Sequence, residues 1–125
     1  MADEAQIAAS VQARAARVQG LLAQRKNEEA VRVALEDPPL LSKNEVVKDE
    51  NAKVVIGALL ACNKGEMQRA IDSLPSSLED ILMKYIMRFL GIASQSAIML
   101  EWHQKLMAKA GSGCAMRAFT DRKQV

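Results

Sequence analysis

The chain has 125 residues, half of them apolar and 26% charged, with a net charge of +2. That is a globular composition at the length of one domain, neither disordered nor long enough for two ordinary domains. The 20 alanines and 7 methionines, set against 3 prolines, 6 glycines and 3% aromatic residues, favour helix and disfavour an all-β fold, while one His and two Cys leave little for catalysis or metal binding.

The apolar spacing is helical almost throughout. Over residues 4–25, Ile7, Val11, Ala15, Val18 and Leu22 form one stripe, with Arg14, Arg17 and Arg25 off it. Asn27 can cap a short second helix whose Glu28 and Glu29 suit the positive end of the helix dipole. That helix carries Ala30, Val31, Ala34 and Leu35 and must end at Pro38-Pro39. Ser42 with Glu45 has the capping-box spacing, so a third helix starts there. It holds Val47, Val54, Val55, Ala58, Leu59 and Cys62, with Asp49 and Lys53 paired outside at i,i+4.

Asn63-Lys64-Gly65 reads as a turn before a fourth helix with Met67, Ala70, Ile71 and Leu74, stopped by Pro75. Ser76 with Glu79 repeats the capping-box spacing and opens a fifth helix over 76–90. There Leu78, Ile81, Leu82, Tyr85, Ile86 and Phe89 make one face, and Met83, Met87 and Leu90 extend it nearly all round. A helix apolar on most sides is surrounded by others, so 76–90 is expected at the centre. A sixth helix runs from Ser94 to Ala110 with Ile98, Trp102, Leu106 and Met107, Gly111-Ser112-Gly113 ends it, and a seventh spans Cys114 to Asp121. The expected core includes Ile81, Leu82, Ile86, Phe89, Leu100 and Trp102.

Leu21–Pro38 and Leu59–Pro75 also match as a weak internal repeat: a helix end, a polar turn, a short helix and a proline stop. Periods of this size belong to stacked antiparallel helix pairs. Chance similarity between Ala- and Leu-rich helices is the other reading.

No secretory signal is visible, and the longest apolar run, Val54 to Cys62, falls well short of the ~20 residues of a membrane span. Cys62 and Cys114 lack paired spacing and read as small buried hydrophobes. Residues 1–80 carry a net charge of −3 and residues 81–125 one of +5. That basic third suits an acidic partner surface. It holds no cluster of five Lys/Arg and few aromatics for stacking, which argues against nucleic acid.

His103 has no second His and no carboxylate at ligand spacing, so it reads as structural. Met83, Met87, Met99, Met107 and Met116 fall among Leu and Ile positions, which fits core filling better than a Met-lined groove. Gly111-Ser112-Gly113 lacks the Lys-Ser/Thr of a phosphate loop. With no nucleophile–base order or twin-carboxylate motif, no enzyme is expected, and no catalytic residue, cofactor or metal is assigned.

Four blocks carry a resemblance: Glu36–Ala52, Asp80–Leu90, Leu100–Lys105 and Ala110–Val125. Their order and spacing resemble subunit 5 of the actin-related protein 2/3 complex, one of its small subunits. The resemblance implies an all-α superhelix of about seven helices around 76–90. It implies a non-catalytic subunit of the cytoplasmic assembly that nucleates branched actin filaments at the actin-rich cortex. It also implies a body that docks on the 20 kDa subunit 4 and neighbours the 40 kDa β-propeller subunit, an N-terminal arm that reaches toward actin-related protein 2 and helps tether it, and ATP bound in the actin-related subunits. On that frame residues 1–35 are N-terminal helices that include the tether region, and 36–125 are the globular body. Many family members begin with a long acidic extended tail, whereas residues 1–25 here read as an Ala-rich helix. The exposed partner-contact residues expected in the matching blocks are Lys84, Arg88, His103, Lys105, Arg117, Arg122 and Lys123. The alternatives are a free-standing helical-repeat module that binds peptides and a binder of anionic lipid through the basic third.

Overall fold

The computed structural model describes residues 4–36, 38, 42–90, 96–120 and 125, and among them every regular element is a helix. The elements are α1 (Glu4–Ala23), α2 (Asn27–Leu35), α3 (Glu45–Ala61), α4 (Lys64–Ser73), α5 (Ser76–Leu90), α6 (Ser96–Ala110) and α7 (Ser112–Thr120). The all-α expectation is met, and the fifth helix has the expected bounds. The seventh begins at Ser112 rather than Cys114, because Gly111 adopts φ +78° and turns the chain at once.

Two neighbourhoods organise the packing. α1, α2 and α3 pack on one another, while α5, α6 and α7 form the other group. α2 and α3 reach across to α5, and α4 bridges from α2 to α6. α5 lies against α2, α3, α6 and α7, with Leu82, Met83, Tyr85, Ile86 and Phe89 buried, as a helix apolar on most sides requires. The short α2 is equally embedded. It touches α1, α3, α4 and α5 and buries Ala30, Val31, Val33, Ala34 and Leu35. Its small residues let neighbouring helices close on it from several sides.

The repeat is not two equal pairs. α1 and α2 pack closely, but α4 packs on α2 and α6 rather than on α3. The extended residues at Cys62 and Asn63 redirect the chain before α4 begins.

Several helix ends differ from the sequence expectation. Asn27 does not cap α2. It is the first helical residue, and its Nδ2 donates to the Ala61 carbonyl at 3.1 Å and to the Glu66 carboxylate. Ser42 and Glu45 do not form a capping box. Asn44 is the N-cap and accepts from Val46 N at 3.0 Å, while Ser42 donates to Glu4 at 2.7 Å. The expected turn at Asn63 is the start of a helix. Asn63 Oδ1 accepts from Glu66 N at 2.8 Å, and the Glu66 carboxylate accepts from Asn63 N at 3.0 Å. Ser76 lies inside α5, so it is not the cap, and Glu79 turns inward to Lys109 instead. Asp49 pairs with Arg88 of α5, not with Lys53.

The C-terminal carbonyls of α3 and α4 are satisfied from a distance. Trp102 Nε1 donates to the Leu59 carbonyl at 3.3 Å, and Asn27 takes Ala61. Lys109 Nζ donates to the Ile71 and Leu74 carbonyls at 2.6 and 2.7 Å and pairs with the Glu79 carboxylate at 3.1 Å. A helix leaves four carbonyls unbonded at its end, and here four of those carbonyls (Leu59, Ala61, Ile71 and Leu74) receive a donor from another helix.

Arg14 is the sharpest departure. Expected off the apolar stripe, it is only 5% exposed. Position 14 lies between Val11 and Val18, three and four residues away, on the buried face of α1. Its Nη2 donates to Asn51 Oδ1 of α3 at 2.8 Å, and Asn51 Nδ2 donates to the Tyr85 hydroxyl of α5. The three residues thread a hydrogen-bonded line through three helices in the middle of the fold.

Candidate interaction surface

Five of the seven expected contact residues fall among the described ones; Arg122 and Lys123 lie outside them. Asp80, Lys84 and Arg88 follow one another at i, i+4, i+8 along α5, so they share a stripe. Arg117 of α7 comes to that stripe as a fork on Asp80, Nε to Oδ2 at 3.0 Å and Nη2 to Oδ1 at 2.9 Å. The Arg117 guanidinium holds the Asp80 carboxyl below its ordinary pKa range, against the opposing effect of partial burial. At the other end, Arg88 pairs with Asp49 of α3, and its Nη1 donates to the main-chain carbonyl of Val125 at 2.7 Å. Thus Arg88 and Arg117 clamp α3, α5 and α7 together as well as lending positive charge to this face. Lys84 stands between them, half-buried.

His103 and Lys105 do not join that stripe as a pair. They are two residues apart on α6, about 200° around the helix, and both are half-buried. His103 sits beside Trp102, which is fully buried.

The apolar part of the surface is where the sequence reading needs correction. Leu100, expected in the core, is 50% exposed. α6 turns Met99, Trp102 and Leu106 inward, so Ala97, Leu100, Gln104 and Ala108 make its outward stripe. This stripe has no charged member. Ile81 of the expected core is half-buried, whereas Leu82, Ile86, Phe89 and Trp102 are buried as expected. Among the methionines, Met83 and Met99 fill the core, Met87 and Met107 are half-buried, and Met116 is 64% exposed on α7. Val46 of α3 is also exposed. Uncharged outward positions at i, i+3 and i+4 were the available signal for the α6 stripe, but rotating a helix by one residue moves such a stripe by about 100°.

Reactive groups are withdrawn from this surface. Cys62 and Cys114 are buried free thiols, each pushed up to about 12 chiefly by burial. Each thiol donates to a carbonyl, of Ala58 at 3.5 Å and of Glu79 at 3.4 Å. Among the described residues, no group of three or more His, Cys, Asp or Glu could hold a metal ion, and no helix is long and apolar enough to cross a membrane. The surface offers oriented charge, a neutral apolar stripe and hydrogen-bonding groups, which suits association.

Comparison with known proteins agrees with that chemistry. The family profile described as ARP2/3 complex 16 kDa subunit (p16-Arc) matches residues 1–125. The chain is 34% identical over 100 residues to actin-related protein 2/3 complex subunit 5 of Dictyostelium discoideum, covering 80% of this chain and 72% of that one. It is 37% identical over 98 residues to subunit 5-C of Xenopus laevis, covering 77% and 65%. With the human subunit 5-like protein it shares 36% identity over 110 residues, 86% of this chain and 72% of the other. The chain, helical in its described elements and with both thiols buried, is matched by the profile over residues 1–125 and thus belongs to the p16-Arc family, the 16 kDa subunit of the ARP2/3 complex.

Proposed function

We propose that the chain is a non-catalytic structural subunit of the actin-related protein 2/3 complex and supports nucleation of branched actin filaments. The observation that carries this is the family match over residues 1–125. Its contribution is buried area and oriented charge rather than bond-making, since its thiols are buried and Asp49, Asp80, Arg88 and Arg117 are engaged in holding helices together. It works in the cytoplasmic actin cytoskeleton, at the actin-rich cortex.

The partners are subunit 4, the β-propeller subunit and actin-related protein 2. The face of Lys84, Arg88 and Arg117 serves as a basic contact for an acidic partner surface, with Arg122 and Lys123 adding charge and His103 and Lys105 contributing from α6. Leu100 supplies an apolar anchor. Residues 36–125 act as the docking body. Residues 1–35 contribute the arm toward actin-related protein 2, through helices that also pack on α3.

Branch formation by the purified complex, with and without this chain, tests the reading. The complex lacking it should nucleate fewer branches per filament, and adding back the chain should restore them. Equal branching by both preparations contradicts the proposal.

A further inference from the structure

The fold brings the polar turns of the two repeat copies together. Leu21–Pro38 and Leu59–Pro75 align with Lys26 on Lys64 and Glu28 on Glu66. Asn27 Nδ2 donates to the Ala61 carbonyl at 3.1 Å and to the Glu66 carboxylate, so the α1–α2 corner lies beside the α3–α4 corner. Arg25, Lys26 and Lys64 are thereby gathered at one end of the molecule. All three are exposed, and none forms an ion pair with a described residue. The carboxylates around them are engaged. Glu28 pairs with Arg69 at 2.6 Å, Glu66 accepts from Asn63 N and from Asn27, and Glu29 lines the groove between α1 and α2. These three carboxylates also sit in the first turns of α2 and α4, where the positive ends of the helix dipoles meet their charge. Three uncompensated cations thus collect on residues 1–80, the part of the chain whose net charge is −3.

Arg25 supplies an independent sign. Among the described residues it is the one non-glycine residue at positive φ, +60°. Glycine or asparagine suits that conformation, whereas an arginine side chain is strained in it. The turn itself is closed by main-chain bonds, Arg25 N to the Leu22 carbonyl and Lys26 N to the Leu21 carbonyl, which glycine would make equally well. The packing of the chain therefore has no use for a guanidinium at this strained position, and residues held in that way cluster at functional sites.

We infer that this corner binds a carboxylate-rich segment of a neighbouring subunit of the assembly, through Arg25, Lys26 and Lys64. Exposed cations on two adjacent turns suit a run of acidic side chains laid across them. They fall short of the about four to eight Lys/Arg by which basic clusters hold a protein to anionic lipid. The inference rests on the proposed function and adds a contact that uses none of the residues of the α5 stripe.

Zero-length carbodiimide cross-linking of the purified wild-type assembly, read by mass spectrometry, joins lysine amines to carboxylates within ion-pair reach. Lys26 and Lys64 should both join one Asp/Glu-rich segment of another subunit. Cross-links from both lysines to this chain alone overturn the inference, as does no cross-link from either while other lysines of the assembly react. Capture of the tagged full chain from cytosol, scored by actin-related subunits recovered per chain, gives a second readout. Arg25→Gly should melt no lower than wild type yet recover about threefold less, and Arg25→Gly combined with Lys26→Glu and Lys64→Glu at least about tenfold less. If the triple variant melts lower, Arg25→Gly and the cross-links decide. Variants that recover within about twofold of wild type overturn the contact while leaving the assembly reading in place. A wild-type chain that recovers no actin-related subunits overturns both. Flotation of the wild-type chain, but not of the triple variant, with phosphatidylserine vesicles at physiological salt assigns the corner to a membrane surface and overturns the acidic segment.

Discussion

Single residues set the ends and the interior of this fold. Arg25 closes α1 at φ +60°, with Arg25 N bonded to the Leu22 carbonyl at 3.0 Å and Lys26 N to Leu21 at 2.9 Å. A side chain in the left-handed region is strained, and Arg25 is exposed, so Arg25→Gly should stabilise the chain by about 0.5–1 kcal/mol in urea titration. Tyr85 is buried against Asn51, and burial pushes its hydroxyl up to about 12 from the ordinary 10.0. The folded state thus prefers the neutral phenol. Its contribution is complete below pH 10 and is lost as pH rises toward 12, because the unfolded chain releases the proton first. The thiols of Cys62 and Cys114, raised from 9.0 to about 12, act in the same direction. Stability measured by circular dichroism should therefore fall in alkali. Between about pH 9 and 11, Tyr85→Phe should lose about 1–2 kcal/mol less than wild type. An equal loss would contradict the buried neutral phenol. Arg14 shows the limit of reading residues one by one: Arg is a surface residue by type, and only its position between Val11 and Val18 marked it for the interior.

At the scale of the element, helix existence was legible and helix ends were less so. The bounds of α5 followed from Pro75 and an apolar face running to Leu90. The short α2 was expected for the same reasons, but its central place was not, because Ala30 and Ala34 give a weak apolar signal while allowing close approach. The ends of α3 and α4 could not be read locally. Their carbonyls are met by Asn27, Trp102 and Lys109, which lie 34 to 43 residues away in the chain. Lys109 tests that arrangement. Lys109→Met should cost roughly 2–4 kcal/mol, since it strips the Leu74 carbonyl of its Lys109 donor, leaves the Ile71 carbonyl with Leu74 N alone, and leaves the buried Glu79 carboxylate unpaired. In urea unfolding, a loss below about 0.5 kcal/mol, the range of an ordinary surface change, would contradict the role of Lys109. Leu82→Ala should cost about 2–5 kcal/mol if α5 is the packed centre, and a loss below about 1 kcal/mol would sink that placement.

For the whole molecule, the composition met at the outset takes on a physical sense. A chain poor in His, Cys and aromatic residues has spent its side chains on faces, with both of its thiols buried. The net charge of +5 on residues 81–125 is only partly free for a partner, because Arg88 and Arg117 also bind α3 and α5 to their neighbours. Four blocks of residues made the family legible. The shared face of the expected contact residues Lys84 and Arg88 was legible as well, because i,i+4 spacing fixes a helix face. The outward turn of Leu100 was not, because both faces of α6 are rich in Ala, Leu and Met and only tertiary packing chooses between them. The central claim is that this chain is a built-in member of one large assembly. Affinity capture of the tagged chain from native cytosol, with quantitation of each recovered protein, tests it most directly. Recovery of actin-related protein 2 and subunit 4 in equimolar amounts with the chain is the predicted result; recovery of only diverse peptides or chaperones would contradict it.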